Sequence, residues 1–389
     1  MTKLGIYGIG VLGSVTDQQR LTLQATLRGM LDDFGLVIGT DVVVYDGASV
    51  NGRERRAAFA AAYFGGVPHT DLPAVRDLIS TNSPIIPILD PPQDFTTNIP
   101  EILHASNGLR CRPDDPELEE LACALLECVG LLRRQRRVFI SYRRIESRAA
   151  AMQLHDLTAA RGFDVFLDTH DIRPGDPFQD VLWHRLCDSD VVVMLDTPAY
   201  FDSRWTRQEI GRARAKDIQV LRVVWPGHTP SRLTDMAETI HLDADALSGP
   251  SGPIRDEVAD KIVLAVEHLR SRSIASRYLS ITGRLRADVE KIGAKIEGIG
   301  AHRAICVRLP DDQRIWAYPV VGIPTAEVFY DIADKARRAE QLGAPVIVYD
   351  HIGIRESWNA HLKWLDENIA TVKAIKVSEA GWTLAAWES

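Results

Sequence analysis

Apolar runs of four to six residues alternate with amphipathic, helix-like stretches along most of this 389-residue chain. Strands of a parallel sheet have this pattern, because helices cover both faces of the sheet and bury each strand on two sides. The predicted fold class is therefore α/β. The alternation is clearest in the middle of the chain, where we expect strands at Val138–Ser141, Asp164–Leu167, Val191–Leu195, Val220–Trp225 and Thr239–Leu242. The expected helices there are Ser147–Arg161, Phe178–Cys187, Thr206–Lys216 and Ile254–Leu269.

Two further segments with the same alternation flank the middle one. In the first segment, we expect strands at Lys3–Tyr7, Val42–Tyr45 and Ile85–Leu89, and helices at Asp17–Phe34 and Glu117–Leu132. In the last, we expect helices at Ile281–Glu297, Ala326–Leu342 and Arg355–Ile369, a hairpin-like pair of strands at Ala304–Leu309 and Arg314–Val321, a strand at Val346–Tyr349, and a terminal pair near Val372–Val377 and Trp382–Trp387. A chain of this length commonly forms two or three domains. The predicted domains are residues 1–134, 135–272 and 273–389.

The composition excludes several classes of protein. A net charge of −8 gives no general attraction to nucleic acid or to an anionic membrane, so neither partner is expected. The five cysteines are an odd set without repeated spacing, which favours a reducing compartment. Cys123 and Cys128 have no histidine pair nearby, so we expect buried thiols and no metal site. The first residues do not form a signal peptide, and no apolar run approaches the ~18 residues of a membrane span. We therefore expect a cytoplasmic protein.

Five sequence blocks in the middle segment carry a family resemblance. They are Val138-Phe-Ile-Ser-Tyr-Arg-Arg144, Gly162-Phe-Asp-Val-Phe-Leu-Asp168, Asp171-Ile-Arg-Pro-Gly-Asp176, Ser189–Leu195 and Ser203-Arg-Trp-Thr-Arg-Gln-Glu209. The first resembles the opening strand of TIR (Toll/interleukin-1 receptor) domains, which ends in Ser-Tyr and often a basic residue. The last resembles the Trp-x-x-x-Glu element of NAD-cleaving TIR domains. The resemblance covers the middle third of the chain and implies a flavodoxin-like, parallel-sheet TIR domain.

This resemblance implies a site for NAD⁺ cleavage with Glu209 as the catalytic carboxylate. Ligands of a parallel sheet bind outside the carboxyl ends of its strands, where we expect Ser141–Arg144, Asp168 and Glu209 to converge. Breaking the bond between nicotinamide and ribose builds positive charge on the ribose, and a fixed carboxylate stabilises that charge. The expected substrate-binding residues are Ser141, Tyr142, Arg143, Arg144, Asp168, Asp171, Ile172, Gly175, Ser203 and Trp205.

Each of these residues also has a structural interpretation. Glu209 could be a solvated helix residue that pairs with Arg212, and Trp205 could pack in the core. The two adjacent arginines could form a surface charge cluster, and the two aspartates could shape a loop. Asp196 and Pro198 are interpreted as structural, because a similar stretch of the first segment retains them.

That similar stretch suggests an internal repeat. Ser83–Phe95 aligns without gaps to Ser189–Phe201, since both contain Ser, a buried strand and then Leu-Asp-x-Pro-x-x-Phe. Two earlier matches are Val43–Asp46 with Val165–Asp168 and Leu4–Gly8 with Val138–Tyr142. The alignment places Leu103 opposite Glu209 and Ile99 opposite Trp205. Residues 1–134 are therefore interpreted as a degenerate, non-catalytic TIR-like copy with a scaffolding, oligomerisation or sensing role. Chance similarity between buried strands is the alternative.

The first segment also contains a glycine motif. Gly8-Ile-Gly10-Val-Leu-Gly13 has the G-x-G-x-x-G pattern of a dinucleotide-binding loop and lies between a predicted strand and helix. Asp46 could supply the acidic residue of that fingerprint, although it comes later than the usual ~20 residues. The repeat alignment instead assigns these residues to a TIR-like strand. Nucleotide binding here is left open.

The last segment resembles no family, and its most polar feature is Asp350-His351 at the end of a predicted strand. An isolated Asp-His pair at such a position is more often structural than catalytic. Trp358 follows helical spacing with Leu362 and Leu365, so we expect it in the core. If the segment is a sensor or assembly module, its ligand is expected at this strand edge.

The resemblance therefore predicts a TIR-type NAD⁺ glycohydrolase that forms ADP-ribose or a cyclic ADP-ribose, with NAD⁺ as substrate and no separate cofactor. Uncontrolled NAD⁺ loss would kill the host, and similar domains act in bacterial antiphage defence. We therefore expect gating by TIR self-association through the loop Asp168–Pro177, triggered by a nucleotide messenger or a protein. One alternative is a non-enzymatic adaptor that mediates TIR–TIR contacts. Another is a synthase whose cyclic product signals to a separate effector.

Overall fold

The computed structural model describes residues 5–106, 108–111, 115–131, 136–167, 178–202, 211, 213, 216–230, 237–339, 341 and 343–387. The chain forms two compact units. The flanking unit combines Met1–Leu132 with Ala275–His351 and Ser357–Ser389, and the middle unit combines Arg133–Ile274 with Ile352–Glu356. The three-domain division at residues 134 and 272 stays a prediction. Among the described helices, none has the length and apolar character that crossing a bilayer requires.

The first sheet, in the flanking unit, has five parallel strands in the order β2-β1-β3-β4-β5. The strands are β1 (Tyr7–Gly13), β2 (Val42–Tyr45), β3 (Ala58–Phe64), β4 (Ile85–Leu89) and β5 (Leu109–Arg110). The helices are α1 (Asp17–Asp32), α2 (Leu72–Ser80), α3 (Phe95–Asn98) and α4 (Glu119–Cys128). The expected parallel sheet is confirmed for this segment.

Strand β3 is a structural feature that the sequence pattern did not predict. Its sequence, AFAAAYF, is rich in alanine, which has the highest helix propensity, and lacks the β-branched residues typical of strands. All seven residues are nevertheless buried, because β3 pairs with β1 on one side and β4 on the other. The match of Ser83–Phe95 with Ser189–Phe201 is therefore wrong, because it pairs the stretch containing β4, the fourth strand, with the third strand of the middle unit. The two earlier matches pair strands at the same positions in their sheets. Leu103 and Ile99 are not the counterparts of Glu209 and Trp205.

The glycine motif lies within strand β1 and does not form a loop. A dinucleotide fingerprint needs its glycines in the turn between strand and helix. Here Gly8 and Gly10 face close neighbours in the sheet, and a Cβ on Gly10 would lie 2.9 Å from the Ala61 Cβ. Gly13 ends the strand with φ +81, and a Cβ there would lie 2.2 Å from the Phe64 carbonyl oxygen. These glycines allow β1 and β3 to pack closely, which contradicts their interpretation as a nucleotide-binding loop.

The middle unit contains a second parallel sheet, with the strand order β7-β6-β8-β9-β10. Its strands are β6 (Arg137–Ser141), β7 (Asp164–Leu167), β8 (Val191–Asp196), β9 (Gln219–Val224) and β10 (Glu238–His241). Its helices are α5 (Arg144–Ala160), α6 (Phe178–Asp188) and α7 (Asp256–Lys291), and the boundary between the units falls within α7. In chain order this is 2-1-3-4-5, the flavodoxin-like arrangement that the family resemblance implied. Most of the predicted helix Thr206–Lys216 lies outside the described residues.

Side chains alternate between the two faces of this second sheet. Val138, Ile140 and Val193 pack with α5 and α7, whereas Phe139, Val192 and Met194 pack with α6. Burial on both faces explains why these strands are continuous apolar runs. The central strand β8 is buried along its whole length. Its carboxyl end is therefore held at a fixed place at the edge of the sheet.

A buried ionic cluster closes the opposite, amino-terminal edge of the same sheet. The Arg136 guanidinium donates two hydrogen bonds to Glu267, at 3.0 and 2.8 Å, and lies 4.2 Å from the centroid of the Phe163 ring. Arg270 Nε donates to Asp190 Oδ2 at 3.0 Å. Both arginine side chains are fully buried. Such a cluster is stable only while every charge keeps its partner.

The third sheet, also in the flanking unit, is mixed and has the order β11-β12-β13-β14-β15. Its strands are β11 (Lys295–Ile299), β12 (Ile305–Arg308), β13 (Arg314–Val320), β14 (Ala344–Tyr349) and β15 (Lys373–Lys376). The pairs β11–β12 and β12–β13 are antiparallel, whereas β13–β14 and β14–β15 are parallel. Its helices are α8 (Ala326–Arg338), α9 (Glu356–Asn368) and α10 (Ala380–Ala385). The predicted hairpin is confirmed. The predicted helix Ile281–Glu297 is wrong at its end, because it belongs to α7 only as far as Lys291 and its last residues enter β11.

A second polar cluster joins the first and last segments within the flanking unit. The Glu127 carboxylate, at the end of α4, accepts a hydrogen bond from His302 Nδ1 at 2.5 Å and another from Lys335 Nζ. Burial alone would raise the pKa of Glu127, but its partners His302 and Lys335 outweigh burial and lower it to about 2. Arg303 Nε donates to the Cys128 carbonyl at 2.7 Å. These contacts explain why two segments far apart in sequence form one unit.

Candidate functional site

The turns after β6 and β8 meet at the carboxyl edge of the second sheet. Ser141, the last residue of β6, shares a hydrogen bond of 2.7 Å with the Tyr200 hydroxyl. Both side chains are completely buried. The contact joins the end of β6 to the turn after β8, and the two residues are 59 apart in sequence. Ser141 thus lies at the predicted edge, where its buried hydroxyl is bonded to Tyr200, and its role in substrate binding stays a prediction.

Two charged residues that follow Ser141 strengthen this connection. Arg143 donates a hydrogen bond to the Ala199 carbonyl, and its guanidinium lies 3.5 Å from the Asp202 carboxylate. Glu146 accepts a hydrogen bond from the Ala199 amide at 3.2 Å. Both the N–H and the C=O group of Ala199, in the turn after β8, are therefore hydrogen-bonded. Asp202 directly precedes Ser203, the first residue of the predicted Ser203–Glu209 block.

The remaining two residues of the Ser-Tyr-Arg-Arg block have different environments. Tyr142 is only 7% exposed and belongs to the core beneath the sheet edge. Arg144 is the first residue of α5 and is exposed. An exposed guanidinium at this edge can meet an anionic group, whereas a core tyrosine has little surface to offer. That Tyr142 contacts substrate stays a prediction.

Helix α5 is interrupted near its start. Ser147 has non-helical angles, φ −144 and ψ 21, so the first turn is separated from the rest of the helix. The Ala150 amide bonds to the Ser251 carbonyl at 3.2 Å. Gly252 has φ +95, and a Cβ there would lie 2.7 Å from the Ala150 nitrogen, so only glycine fits this approach. The loop around Gly252 thus supports the kink, and the first turn is positioned mainly by its contacts with Ala199.

Asp196 is a candidate that the sequence interpretation treated only as structural. It is the last residue of β8 and is completely buried. Its Oδ1 lies 3.2 Å from His228 Nε2, while Oδ2 has no hydrogen-bond partner among the described residues. Burial raises the pKa of Asp196, and the nearby His228 and Arg222 offset this only in part. The sequence could have indicated Asp196 as a site residue, because it directly follows the predicted central strand at its carboxyl end.

Replacing Asp196 by asparagine is expected to raise the free energy of unfolding by about 1 kcal/mol at neutral pH, because it removes a poorly compensated buried charge. The pKa of Asp196 is raised in the folded protein, so its ionisation costs stability as pH rises above the unfolded value. The gain from Asp196→Asn should therefore grow between about pH 4 and pH 7 in urea unfolding. Asp243→Asn, at an exposed site in the same unit, should show no such trend. A variant less stable than the parent at pH 7 would contradict this account.

Several predicted site residues lie outside the described residues. They are Asp168, Asp171, Ile172, Gly175, Ser203, Trp205 and Glu209, together with the alternative partner Arg212. Their roles stay predictions. Among the residues that the structure describes, no group of three or more His, Cys, Asp or Glu side chains is arranged to hold a metal ion.

The Asp350-His351 pair of the last segment has local partners. Asp350 Oδ1 lies 3.8 Å from Arg284 Nη1, and His351 Nδ1 lies 3.3 Å from the Ser378 hydroxyl. Trp358 is half-buried and donates a hydrogen bond to the Pro324 carbonyl at 3.1 Å. Leu362 and Leu365 are buried, as their helical spacing predicted. These contacts are consistent with a structural role for the strand edge.

Comparisons with known proteins bear on the middle unit. Residues 138–248 match the TIR domain family. No curated protein matches the chain in sequence. One similar solved structure is a two-component system response regulator/GGDEF domain protein, with 10% identity, 67% of this chain and 97% of that chain covered, and a TM-score of 0.25. Another is the leucine-binding protein LivK from Thermotoga maritima, with 12% identity, 80% and 97% covered, and a TM-score of 0.18. Scores this low support no inference about function.

Proposed function

Because this chain contains a TIR domain at residues 138–248, we propose that it cleaves NAD⁺ to nicotinamide and ADP-ribose or a cyclic ADP-ribose, with Glu209 as the catalytic carboxylate. The observation that supports this most directly is the connection between the turns after β6 and β8. Arg143 and Glu146 hold the Ala199–Asp202 turn, from which the chain continues into the Ser203–Glu209 block. Because this turn lies at the carboxyl edge, where parallel sheets bind their ligands, a carboxylate that follows it in the chain would be suited to meet a ligand there.

In the proposed reaction, the bond between C1′ of the ribose and the nicotinamide nitrogen breaks. Its electron pair leaves with nicotinamide, which becomes neutral and needs no strong general acid. The ribose carries positive charge in an oxocarbenium-like transition state, and the negative charge of Glu209 stabilises it. Water then adds at C1′ and loses a proton to give ADP-ribose, or an adenine nitrogen adds to give the cyclic product.

The other residues of the site would bind and orient the substrate. Arg144 is exposed at the edge and could pair with the pyrophosphate, for which a guanidinium fork is well shaped. Arg143 is partly exposed and could contribute in the same way. Trp205, one helical turn before Glu209 in the predicted helix, could pack beside the ribose or nicotinamide. The predicted loop residues Asp168, Asp171, Ile172 and Gly175, with Ser203, would complete the cleft.

Activity of this kind would need control in the cytoplasm, and we propose control by self-association of the TIR domain in antiphage defence. The Ile145 side chain is 84% exposed on the first turn of α5, beside the candidate site. Its position next to Arg144 is suited to a contact between two copies that orders the site. The trigger, whether a nucleotide messenger or a protein, is part of the same proposal.

Incubation of the purified full chain with NAD⁺ across a range of protein concentrations tests this function. We expect nicotinamide release that rises more steeply than in proportion to protein concentration, because assembly precedes activity. Mass analysis of the other product separates ADP-ribose from a cyclic ADP-ribose. NAD⁺ that stays intact at every concentration, including with crowding agents that force association, would instead favour the adaptor.

A further inference from the structure

A cavity of about 330 Å³ lies in the flanking unit, at the amino-terminal edge of the first sheet. Its walls include Phe59 at the start of β3, Ser83 just before β4, Leu279 on α7, and Arg303. This volume is at the small end of ligand pockets, which range over roughly 300–1,000 Å³. The cavity is separate from the candidate site of the middle unit and from the Asp350-His351 edge.

Arg303 brings an uncompensated positive charge to this cavity. Its guanidinium donates to the Cys128 carbonyl and lies 4.6 Å from the centroid of the Tyr278 ring. No carboxylate in the described part of the chain forms an ion pair with it. The residue is only half-exposed, and its backbone has φ +58, a conformation that non-glycine residues seldom adopt. A guanidinium held in this way is suited to an anionic ligand.

Tyr278 supplies a second, independent indication of a ligand. The residue lines the cavity and is only 5% exposed. Its hydroxyl is buried and has no hydrogen-bond partner among the described residues. A buried hydroxyl without a partner costs free energy, so such groups normally have one. A ligand oxygen that reaches this hydroxyl from the cavity, with a small shift of the Tyr278 side chain, would satisfy it.

The part of the cavity wall that contains Arg53, Glu54 and Arg55 carries further positive charge. Asp77 pairs with both Arg53 and Arg55, at 2.7 and 3.1 Å, so one carboxylate serves two guanidinium groups. Arg53 is buried by these contacts, whereas the Arg55 side chain is 60% exposed. Glu54 also lines the cavity, and its carboxylate accepts a hydrogen bond from the Arg56 amide at 3.0 Å. Three arginines against two carboxylates leave one net positive charge around the cavity.

We propose that this cavity binds a small organic phosphate monoester. Arg303 and Arg55 would supply charge, the Tyr278 hydroxyl would donate a hydrogen bond, and the Phe59 and Leu279 side chains would contact the apolar part of the ligand. A phosphate offers three strong acceptor oxygens, which suits this number of donors better than the two of a carboxylate. The inference does not depend on NAD⁺ cleavage, because every residue that carries it belongs to the flanking unit.

Isothermal titration of the full chain with phenyl phosphate tests the proposal, with phenol and benzoate as uncharged and carboxylate counterparts. We expect saturable binding of phenyl phosphate, at least tenfold weaker binding of benzoate, and no binding of phenol. Tyr278→Phe should weaken phenyl phosphate at least tenfold, yet leave the melting temperature of the free protein equal or higher because an unpartnered hydroxyl is removed. Arg303→Met should abolish binding.

Arg338→Met is the matched control, because it removes an exposed arginine of the same unit that does not line the cavity. It should bind phenyl phosphate like the parent. The proposal is overturned if phenyl phosphate does not bind at millimolar concentration, if Tyr278→Phe and Arg303→Met both bind as the parent does, or if benzoate binds as tightly. Tyr278→Phe keeps the test valid even if Arg303→Met fails to fold.

Discussion

Glu209→Gln is expected to reduce nicotinamide release by about 10²–10³-fold, the usual effect of removing a group that stabilises charge in a transition state. Glutamine has nearly the same shape, so it keeps the packing and loses only the negative charge that the oxocarbenium-like ribose requires. The KM for NAD⁺ should change little, because the lost interaction forms mainly in the transition state. Nicotinamide release and melting temperature are measured on the same preparation.

Glu257→Gln provides the matched control for this variant. It is the same substitution at an exposed position of the middle unit, on the first turn of α7. Its turnover and melting temperature should equal those of the parent. Full activity in Glu209→Gln would remove Glu209 from the mechanism, and a large loss in Glu257→Gln would mean that the assay reports on folding.

Glu267→Gln is expected to lower the free energy of unfolding by about 3–5 kcal/mol, because it leaves the fully buried Arg136 without its anionic partner. The carboxylate holds Arg136 through two hydrogen bonds and also lies 3.8 Å from Arg270. Glutamine has only one acceptor oxygen, presents an NH2 donor where the second carboxylate oxygen was, and carries no charge. Urea unfolding, followed by circular dichroism, measures the loss.

The same Glu257→Gln variant controls for the loss of one acidic residue from α7. It should unfold within about 0.5 kcal/mol of the parent, as exposed substitutions usually do. If Glu267→Gln were equally mild, the cluster at the amino-terminal edge would not be the dry, fully paired arrangement that its burial indicates. A double variant, Arg136→Met with Glu267→Gln, should recover part of the stability, because no buried charge is then left alone.

The middle unit could be predicted closely from its sequence. Its strands are continuous apolar runs rich in valine, such as Val191–Leu195, and Gly162 marks the end of α5 with φ +77. Burial on both faces and glycine at a left-handed position are local signals that leave little choice of structure. The predicted bounds of the five strands therefore agree with the observed ones to within about one residue.

The flanking unit could be predicted less well, because its decisive signals are not local. The alanines of β3 favour a helix by propensity, and only pairing with β1 and β4 explains why they form a strand. The glycines of β1 match a binding motif in sequence, but their small size is needed for contact with β3. Both features depend on contacts between residues far apart in the chain, which the local sequence pattern does not indicate.

The candidate site, too, could be predicted only where local sequence signals determine it. The position of Ser141 at the strand end followed from sheet topology alone, but its hydrogen bond with Tyr200 depends on the fold of a distant turn. Asp196 was set aside because of an alignment that paired the wrong strands. Its unpartnered oxygen and raised pKa appear only when burial is known.

The buried ionic cluster sets the smallest piece of this chain that could fold independently. The family match ends at residue 248, whereas Glu267 and Arg270 lie further along α7 and Arg136 lies before residue 138. A fragment cut at the limits of the match would keep Asp190 without Arg270 and would expose the apolar face that Val263 and Val266 cover. Excision of a stably folded TIR domain therefore has to begin at or before Arg136 and extend beyond Arg270.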